Sequence, residues 1–404
     1  MGVRFLNTLI KRKAPSALKY VSLSQYSGKT IVIDTSIYIH KYLASNSLME
    51  SMYFMISQFK HLNITPVFIF DGVAPAEKKG VLNARASVRE NALEQYNRLD
   101  TLLHKSDETG EPSTSTSTST STSTSTSSTA SASAACECPE QIRRRMQSLK
   151  RRFIRVSNFE INELKRLMRE FGVQYIESDG ESDLLCAYLV KCGFAQACMS
   201  DDMDMFLYGC PAVLRHVNIW HSTGVEYTLS TILSDMGISL RGFRMVCILS
   251  GTDYTCATPK ETTGNLDPDS DMDLDVHSTK PRQFKFRIYL SDLLRSYQEY
   301  KQEEQEQEQE QEQEQEQEQE QFDTSFYQWV VDRHKKQVSM NTRDLELAKT
   351  IFKRAYSIFS CDPSIEMKQY VQNMDIKSPG ENDDVYEVPH KVKRIMAKYN
   401  FIYI

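Results

Sequence analysis

Cys198-Met199-Ser200-Asp201-Asp202-Met203-Asp204-Met205-Phe206 closes an apolar run, Phe194-Ala195-Gln196-Ala197-Cys198-Met199, with three acids in four residues. Such a run reads as a buried parallel strand that delivers carboxylates at its C-terminal end, where open α/β sheets bind ligands. Taken alone, it reads equally well as a strand followed by a solvated acidic turn with one Asp capping a helix. Other strands decide between the two. Thr30-Ile31-Val32-Ile33-Asp34 and Pro66-Val67-Phe68-Ile69-Phe70-Asp71-Gly72 are continuous apolar runs that also end in an acid. Val173–Glu177 is a further strand, followed by a turn into Glu181-Ser182-Asp183. An apolar helix from Phe243 to Leu249 leads to Asp253.

Strands alternating with helical patterns predict an α/β fold, a mostly parallel central sheet with helices on both faces. The handedness of parallel crossovers brings the strand ends to one side of the sheet. Asp34, Asp71, Glu181, Asp183, Asp202, Asp204 and Asp253 then converge. So many carboxylates repel one another unless cations intervene, and oxygen donors without His or Cys suit Mg²⁺, or Mn²⁺ in its place. Two such ions about 3.5–4 Å apart are the arrangement that hydrolyses phosphodiesters.

The rest of the chain bounds this reading. Its 404 residues carry a net charge of −6. The Glu-Gln alternation from Glu304 to Gln321 holds nine of the 54 acids; without it 45 acids face 48 Lys and Arg, a balance of +3. Arg143, Arg144, Arg145, Lys150, Arg151, Arg152 and Arg155 form a dense basic patch of the kind that meets a phosphate backbone. A helix is predicted from this patch through to Gly172, and a polar helical pattern runs from Ala74 to Lys105. Ala212–Val217 and Val225–Tyr227 form a hairpin. The nine cysteines are an odd count, and most lie in apolar segments, which fits a reducing compartment; Cys136 and Cys138 lack the partners of a zinc site. Asp267–Asp275 has the wrong residues for a calcium loop. No run is long enough to span a membrane, and the N-terminus lacks a signal-peptide core. The Ser-Thr alternation from Ser113 to Thr126 and the Glu-Gln tract cannot build a core. The expected divisions are 1–107, a linker at 108–140, 141–260, a low-complexity segment at 261–325, and an α-rich segment at 326–404 that packs but shows no chemistry.

Several of these motifs, taken together, resemble the XPG-type 5′ flap endonuclease family. They are Met1-Gly2-Val3 with Ala14-Pro15-Ser16-Ala17, Val32-Ile33-Asp34, Val67–Gly72, Glu181-Ser182-Asp183, Asp202-Met203-Asp204 with Tyr208-Gly209-Cys210-Pro211 and Leu214-Arg215-His216, and Ser250–Tyr254. The resemblance covers roughly Met1 to Tyr254 and implies a PIN-like 5′-nuclease fold with a helical arch. It implies metal-dependent cleavage of branched DNA in replication, repair or recombination, and assigns the seven acids as ligands of two Mg²⁺ ions. Lys78 and Arg85 fall where the family places basic side chains above the metals, seven residues apart on one arch helix, and the Arg143–Arg155 patch becomes the other leg. His40 stands where the family stacks a base on Tyr. Only a fragment of the glycine-rich duplex-binding hairpin survives at Ala257–Gly264, and no sliding-clamp motif is seen. A monomer in the nucleus, or in the host nucleus for a viral protein, is expected, with the cytoplasm as the alternative and secretion excluded.

A PIN-like RNase shares the sheet and the acids. A catalytically silent DNA-binding relative would have lost carboxylates, and none is lost. An aspartyl phosphatase needs a second Asp two residues after Asp34, where Ser36 stands.

Overall fold

The computed structural model describes residues 2–108, 139–255, 288–308, 322–338, 340–373, 388–399 and 401. The Ser-Thr tract, Cys136 and Cys138, Ala257–Gly264, Asp267–Asp275 and most of the Glu-Gln tract lie outside them. Seven strands form one sheet: β1 (Leu18–Ser22), β2 (Thr30–Asp34), β3 (Thr65–Phe70), β4 (Gln174–Glu177), β5 (Ala197–Met199), β6 (Ala212–Asn218) and β7 (Thr223–Thr228). The helices are α1 (Leu6–Lys13), α2 (Thr35–Ala44), α3 (Leu48–His61), α4 (Lys79–Glu108), α5 (Pro139–Arg152), α6 (Asn158–Glu170), α7 (Ser182–Lys191), α8 (Leu229–Met236), α9 (Leu240–Ser250), α10 (Leu290–Glu308), α11 (Thr324–Arg333), α12 (Thr342–Ser360), α13 (Ile365–Gln372) and α14 (His390–Ala397). Among the described residues no helix is long and apolar enough to cross a membrane.

The sheet order is β1-β7-β6-β5-β2-β3-β4. From β6 through β4 all neighbours are parallel, and β7 and β1 continue the sheet antiparallel. Strands β2, β3 and β4 are laid down in one direction from β2, and β5 and β6 in the other. The topological switch therefore falls between β2 and β5, where such sheets open a crevice at their carboxyl ends.

Successive side chains of a strand face opposite sides, so a continuous apolar strand feeds two cores. Val32, Val67, Ile69 and Cys198 enter one core, which α1 and α7 to α13 also build. Ile31, Ile33, Phe68, Phe70 and Met199 enter the other, with α2, α3, α6 and α14. Edge strand β1 is mostly polar and buries only Val21, so it gave no apolar run to read.

The helix expected from the basic patch to Gly172 is two helices. Ser157 accepts the Glu160 N–H, and the Glu160 carboxylate accepts the Ser157 N–H at 2.7 Å; this capping box starts α6 afresh. Arg155 lies in the connection between α5 and α6. Lys78 is in a 3-10 turn, Ala76–Lys78, ahead of α4, so it is not on the same helix as Arg85. Gly172, at φ 64, ends α6 as expected. The hairpin of β6 and β7 is as expected.

The described residues divide into two compact units: one holds the chain up to Ala84 and from Val156 onward, the other Arg85–Arg155. In the second, Ala92 and Leu99 of α4 pack with Met146 and Leu149 of α5, and Tyr96 meets Phe153 edge-on at 5.3 Å.

Removing a fully buried central side chain leaves a cavity, while an edge position costs little. Phe68→Ala should lower stability by about 3–5 kcal/mol, and Tyr20→Ala, 87% exposed on β1, by less than about 0.5 kcal/mol. Urea unfolding of the two variants measures both.

Candidate active site

Asp34 ends β2 and is 3% exposed. It stands at the N-cap of α2 but makes no side-chain capping bond, and neither does Glu181 ahead of α7. Their carboxylates are engaged elsewhere. The Ser200 hydroxyl, just after β5, donates to Asp34 Oδ2 at 3.0 Å. Ser182 Oγ lies 2.7 Å from Asp71 Oδ1 and 3.2 Å from Asp34 Oδ1, so one proton serves two acids, and the Ser182 N–H donates to Asp71 at 2.8 Å. Ser36 donates to the other oxygen of Asp71. The ends of β2, β3 and β5 and the start of α7 are tied through these hydroxyls.

Asp204 is buried and accepts the Val3 N–H at 3.0 Å; its own N–H donates to Asp202 Oδ1 at 3.1 Å. Gly2 sits against both, and a β-carbon there would fall 2.3 Å from Asp204 Oδ1 and 2.5 Å from Asp202 Oδ1. Gly72 plays a similar part after β3. Its N–H donates to the Gly180 carbonyl at 2.7 Å, and a β-carbon would meet the Ser178 carbonyl at 1.9 Å, so the loops carrying Asp71 and Glu181 run backbone to backbone.

Glu181 accepts from Lys78 Nζ on one oxygen and from the Tyr254 hydroxyl on the other. Lys78 also lies 5.4 Å from the centre of the Tyr254 ring. Burial works to lower the Lys78 pKa, but Glu181, with Asp183 and Asp253 behind it, outweighs this and leaves it raised. The Tyr208 and Tyr254 hydroxyls are 2.7 Å apart, and Phe359 of α12 meets both rings edge-on at 5.0 and 5.1 Å. The C-terminal segment, in which sequence showed no chemistry, thus supports the Glu181 side of the site.

The acids act on one another. Burial raises Asp34 from the ordinary 3.8 to about 7, with Asp71 and Asp202 adding to the rise and Ser200 and Ser182 opposing it. Burial, then Asp34 and Asp202, push Asp183 well up, against Lys78. Burial, then Asp202 and Asp253, push Asp204 well up, against Lys78 and the Val3 N–H. Asp34, Asp71, Lys78, Glu181, Asp183, Asp202, Asp204 and Asp253 are therefore within electrostatic reach of one another. Among the described residues no three His, Cys, Asp or Glu side chains form a group that could hold a metal ion as they stand. The donors nevertheless fit a hard cation in kind: all are oxygen, and the raised pKa values of Asp34, Asp183 and Asp204 mark a place where positive charge is favoured.

His40 is exposed on α2 and lines a cleft of about 480 Å³ with Ser36, Asp71 and Lys165. Arg85 is half-buried on α4 in the second unit. There, Arg143, Arg144, Lys150 and Arg151 of α5 are exposed, as is Arg155, while Arg145 and Arg152 are half-buried. Sequence reasoning missed Ser182, Ser200 and Tyr254 as site residues. Each stood inside a quoted motif, next to or near an acid, and a hydroxyl beside a buried carboxylate was the available signal.

Two family models match the sequence, the XPG N-terminal domain over residues 1–92 and the XPG I-region over residues 172–253. Among curated proteins, Flap endonuclease 1 of Xenopus tropicalis is 27% identical over 293 residues, covering 68% of this chain and 65% of that protein. Flap endonuclease 1 of Entamoeba dispar is 29% identical over 279 residues, 64% of each. The chain thus spans just under two thirds of the length of these relatives. Among solved structures, the catalytic core of Rad2 in complex with DNA substrate aligns with a TM-score of 0.51 at 16% identity, covering 98% of this chain and 95% of that one. At that identity the likeness is one of fold.

A carboxyl whose folded pKa is raised contributes stability below its unfolded pKa, and that contribution is lost as pH rises through the folded value. Asp34, from 3.8 to about 7, should therefore make the protein in chelator melt lower at pH 8 than at pH 5.5. Asp34→Asn should narrow the gap by raising Tm at pH 8. Calorimetry at the two pH values checks this, and an unchanged gap refutes it.

Proposed function

We propose that this chain, which matches the XPG N-terminal and I-region models, is a divalent-cation-dependent nuclease of that family hydrolysing phosphodiester bonds of branched, 5′-flap-like DNA. The observation that carries this reading is the convergence of buried, mutually repelling carboxyls at the switch between β2 and β5. Asp34, Asp71, Glu181, Asp183, Asp202, Asp204 and Asp253 are the residues that would hold a pair of Mg²⁺ ions, with Mn²⁺ as substitute. Bound there, such ions supply an acidified water and stabilise the leaving oxygen.

The chain's own groups do the rest. Ser182, Ser200 and the Val3 N–H orient the carboxylates, and on Asp34 and Asp204 they oppose the rise in pKa that burial imposes. Lys78, held by Glu181 over the Tyr254 ring, is a compact cation at the rim of the acids, suited to offset charge on the scissile phosphate. Arg85 is assigned the same task. His40, in the cleft beside Asp71, is suited to receive a base. Arg143, Arg144, Arg145, Lys150, Arg151, Arg152 and Arg155 would grip phosphates of the single strand away from the cut. A DNA substrate of this kind would place the activity in the nucleus.

The deciding experiment is cleavage of a labelled flap, nick, gap and single strand, each as DNA and RNA, with and without Mg²⁺. Mg²⁺-dependent incision of the DNA flap supports the reading. Preference for RNA replaces it with a ribonuclease, and no cleavage of any substrate overturns it.

Asp204→Ala should lose at least about 100-fold in turnover, the scale of one electrostatic stabiliser of the transition state, while DNA binding persists. The two basic clusters should differ. Lys78→Ala and Arg85→Ala should slow single-turnover cleavage at saturating enzyme more than they weaken binding. Charge removal at Arg143–Arg155 should instead weaken affinity and flatten its salt dependence by about one unit of slope per lost contact. Wild-type single-turnover rates in Lys78→Ala and Arg85→Ala would refute the assigned role.

A further inference from the structure

We propose that Arg4 and Phe5 form a nucleobase-stacking subsite beside the carboxylates, holding a base of the strand whose phosphate enters the site; this rests on the nuclease reading above. Phe5 adopts φ 61 and ψ 5, the left-handed region that a bulky side chain rarely enters. Its ring is 57% exposed, so burial does not offset that backbone cost. The conformation persists because the chain is held on both sides of it. Before it, the Val3 N–H is fixed on Asp204 at 3.0 Å, with Gly2 against Asp202 and Asp204. After it, Leu6 is fully buried, and Asn7 Oδ1 accepts from Arg215 Nη1 at 3.1 Å and from the Tyr227 hydroxyl at 3.0 Å. The Phe5 carbonyl accepts the Leu9 N–H at 2.9 Å, opening α1. A glycine would meet all these demands without strain.

Strain held in place by its surroundings, and ending in an exposed ring, points to a ligand. The chemistry around the ring says which. Phe5 is two residues, at most about 7 Å of backbone, from the residue that binds Asp204. The Arg4 guanidinium carbon lies 4.8 Å from the ring centre, so a cation able to meet a phosphate sits against the aromatic surface. An aromatic ring with an Arg beside it, next to a phosphodiester-cleaving site, is the pairing that holds a base and its phosphate together, whatever the sequence.

The test compares Phe5→Gly, Phe5→Trp and Arg4→Ala with the wild type. Phe5→Gly relieves the strain, and its Tm should rise by about 2–4 °C. It should also raise KM about tenfold with kcat little changed, because stacking away from the reacting atoms is felt equally in ground and transition states. Phe5→Trp should restore KM, and Arg4→Ala should raise it by less. Binding in chelator of a flap carrying 2-aminopurine at the junction reads stacking without any cleavage: its fluorescence change should be lost in Phe5→Gly and kept in Phe5→Trp. Unchanged KM and an unchanged 2-aminopurine signal in Phe5→Gly overturn the proposal. A fall in its Tm also does so, since the ring would then be a packing residue. Failure of the wild type to cleave DNA overturns the nuclease reading instead, and the 2-aminopurine arm still reports whether Phe5 stacks on a base.

Discussion

The structure depends on the burial of like charges at one point. Asp34 lies where β2 and β5 part, almost out of solvent, with Asp71, Asp183 and Asp202 close enough to raise its pKa or be raised by it. Isolated buried carboxylates are costly, and the fold meets that cost locally. Three serine hydroxyls, a tyrosine hydroxyl, three backbone N–H groups and one ammonium group are arranged around the acids. The sheet order places these donors, since Ser200 follows β5, Ser182 opens the helix after β4, and Lys78 follows β3. An arrangement optimised for stability alone would not gather the acids in this way.

The glycines at the site belong to the same constraint. Gly2 and Gly72 stand where a β-carbon would strike a carboxylate or a carbonyl. Each lets one stretch of backbone approach another that carries an acid. The aromatic side of the site is built differently. Tyr208 and Tyr254 share a hydrogen bond above Phe359, so a residue some 180 positions after Glu181 helps to hold it.

Most of the sheet and the acids were legible in the sequence because they share one signal. A strand buried on both faces is a continuous apolar run, and an acid that ends such a run stands out. Asp34, Asp71 and the Asp202–Asp204 pair were found in this way. What escaped had no such contrast. Edge strand β1 buries one residue in five and looks like a loop. The break between α5 and α6 rests on Ser157 and Glu160, two polar residues in a polar stretch. Ser182 and Ser200 are ordinary residues until the sheet order sets them against Asp34. Phe5 is one apolar residue among several near the start of the chain, and its left-handed backbone shows only in three dimensions.

The place of β2 in the sheet also has a consequence for how the chain is made. Its neighbours are β3, which begins at residue 65, and β5, which begins at residue 197. During synthesis at about 5–20 residues per second, β2 and β3 can pair early, while the other edge of β2 waits until Ala197–Met199 has been added. Over that interval an apolar strand that will become central is an exposed edge, open to pairing with another nascent chain. Strand β1 waits longer still, for β7. The same order that opens the crevice for the acids leaves the N-terminal half with an unpaired apolar edge for much of its synthesis.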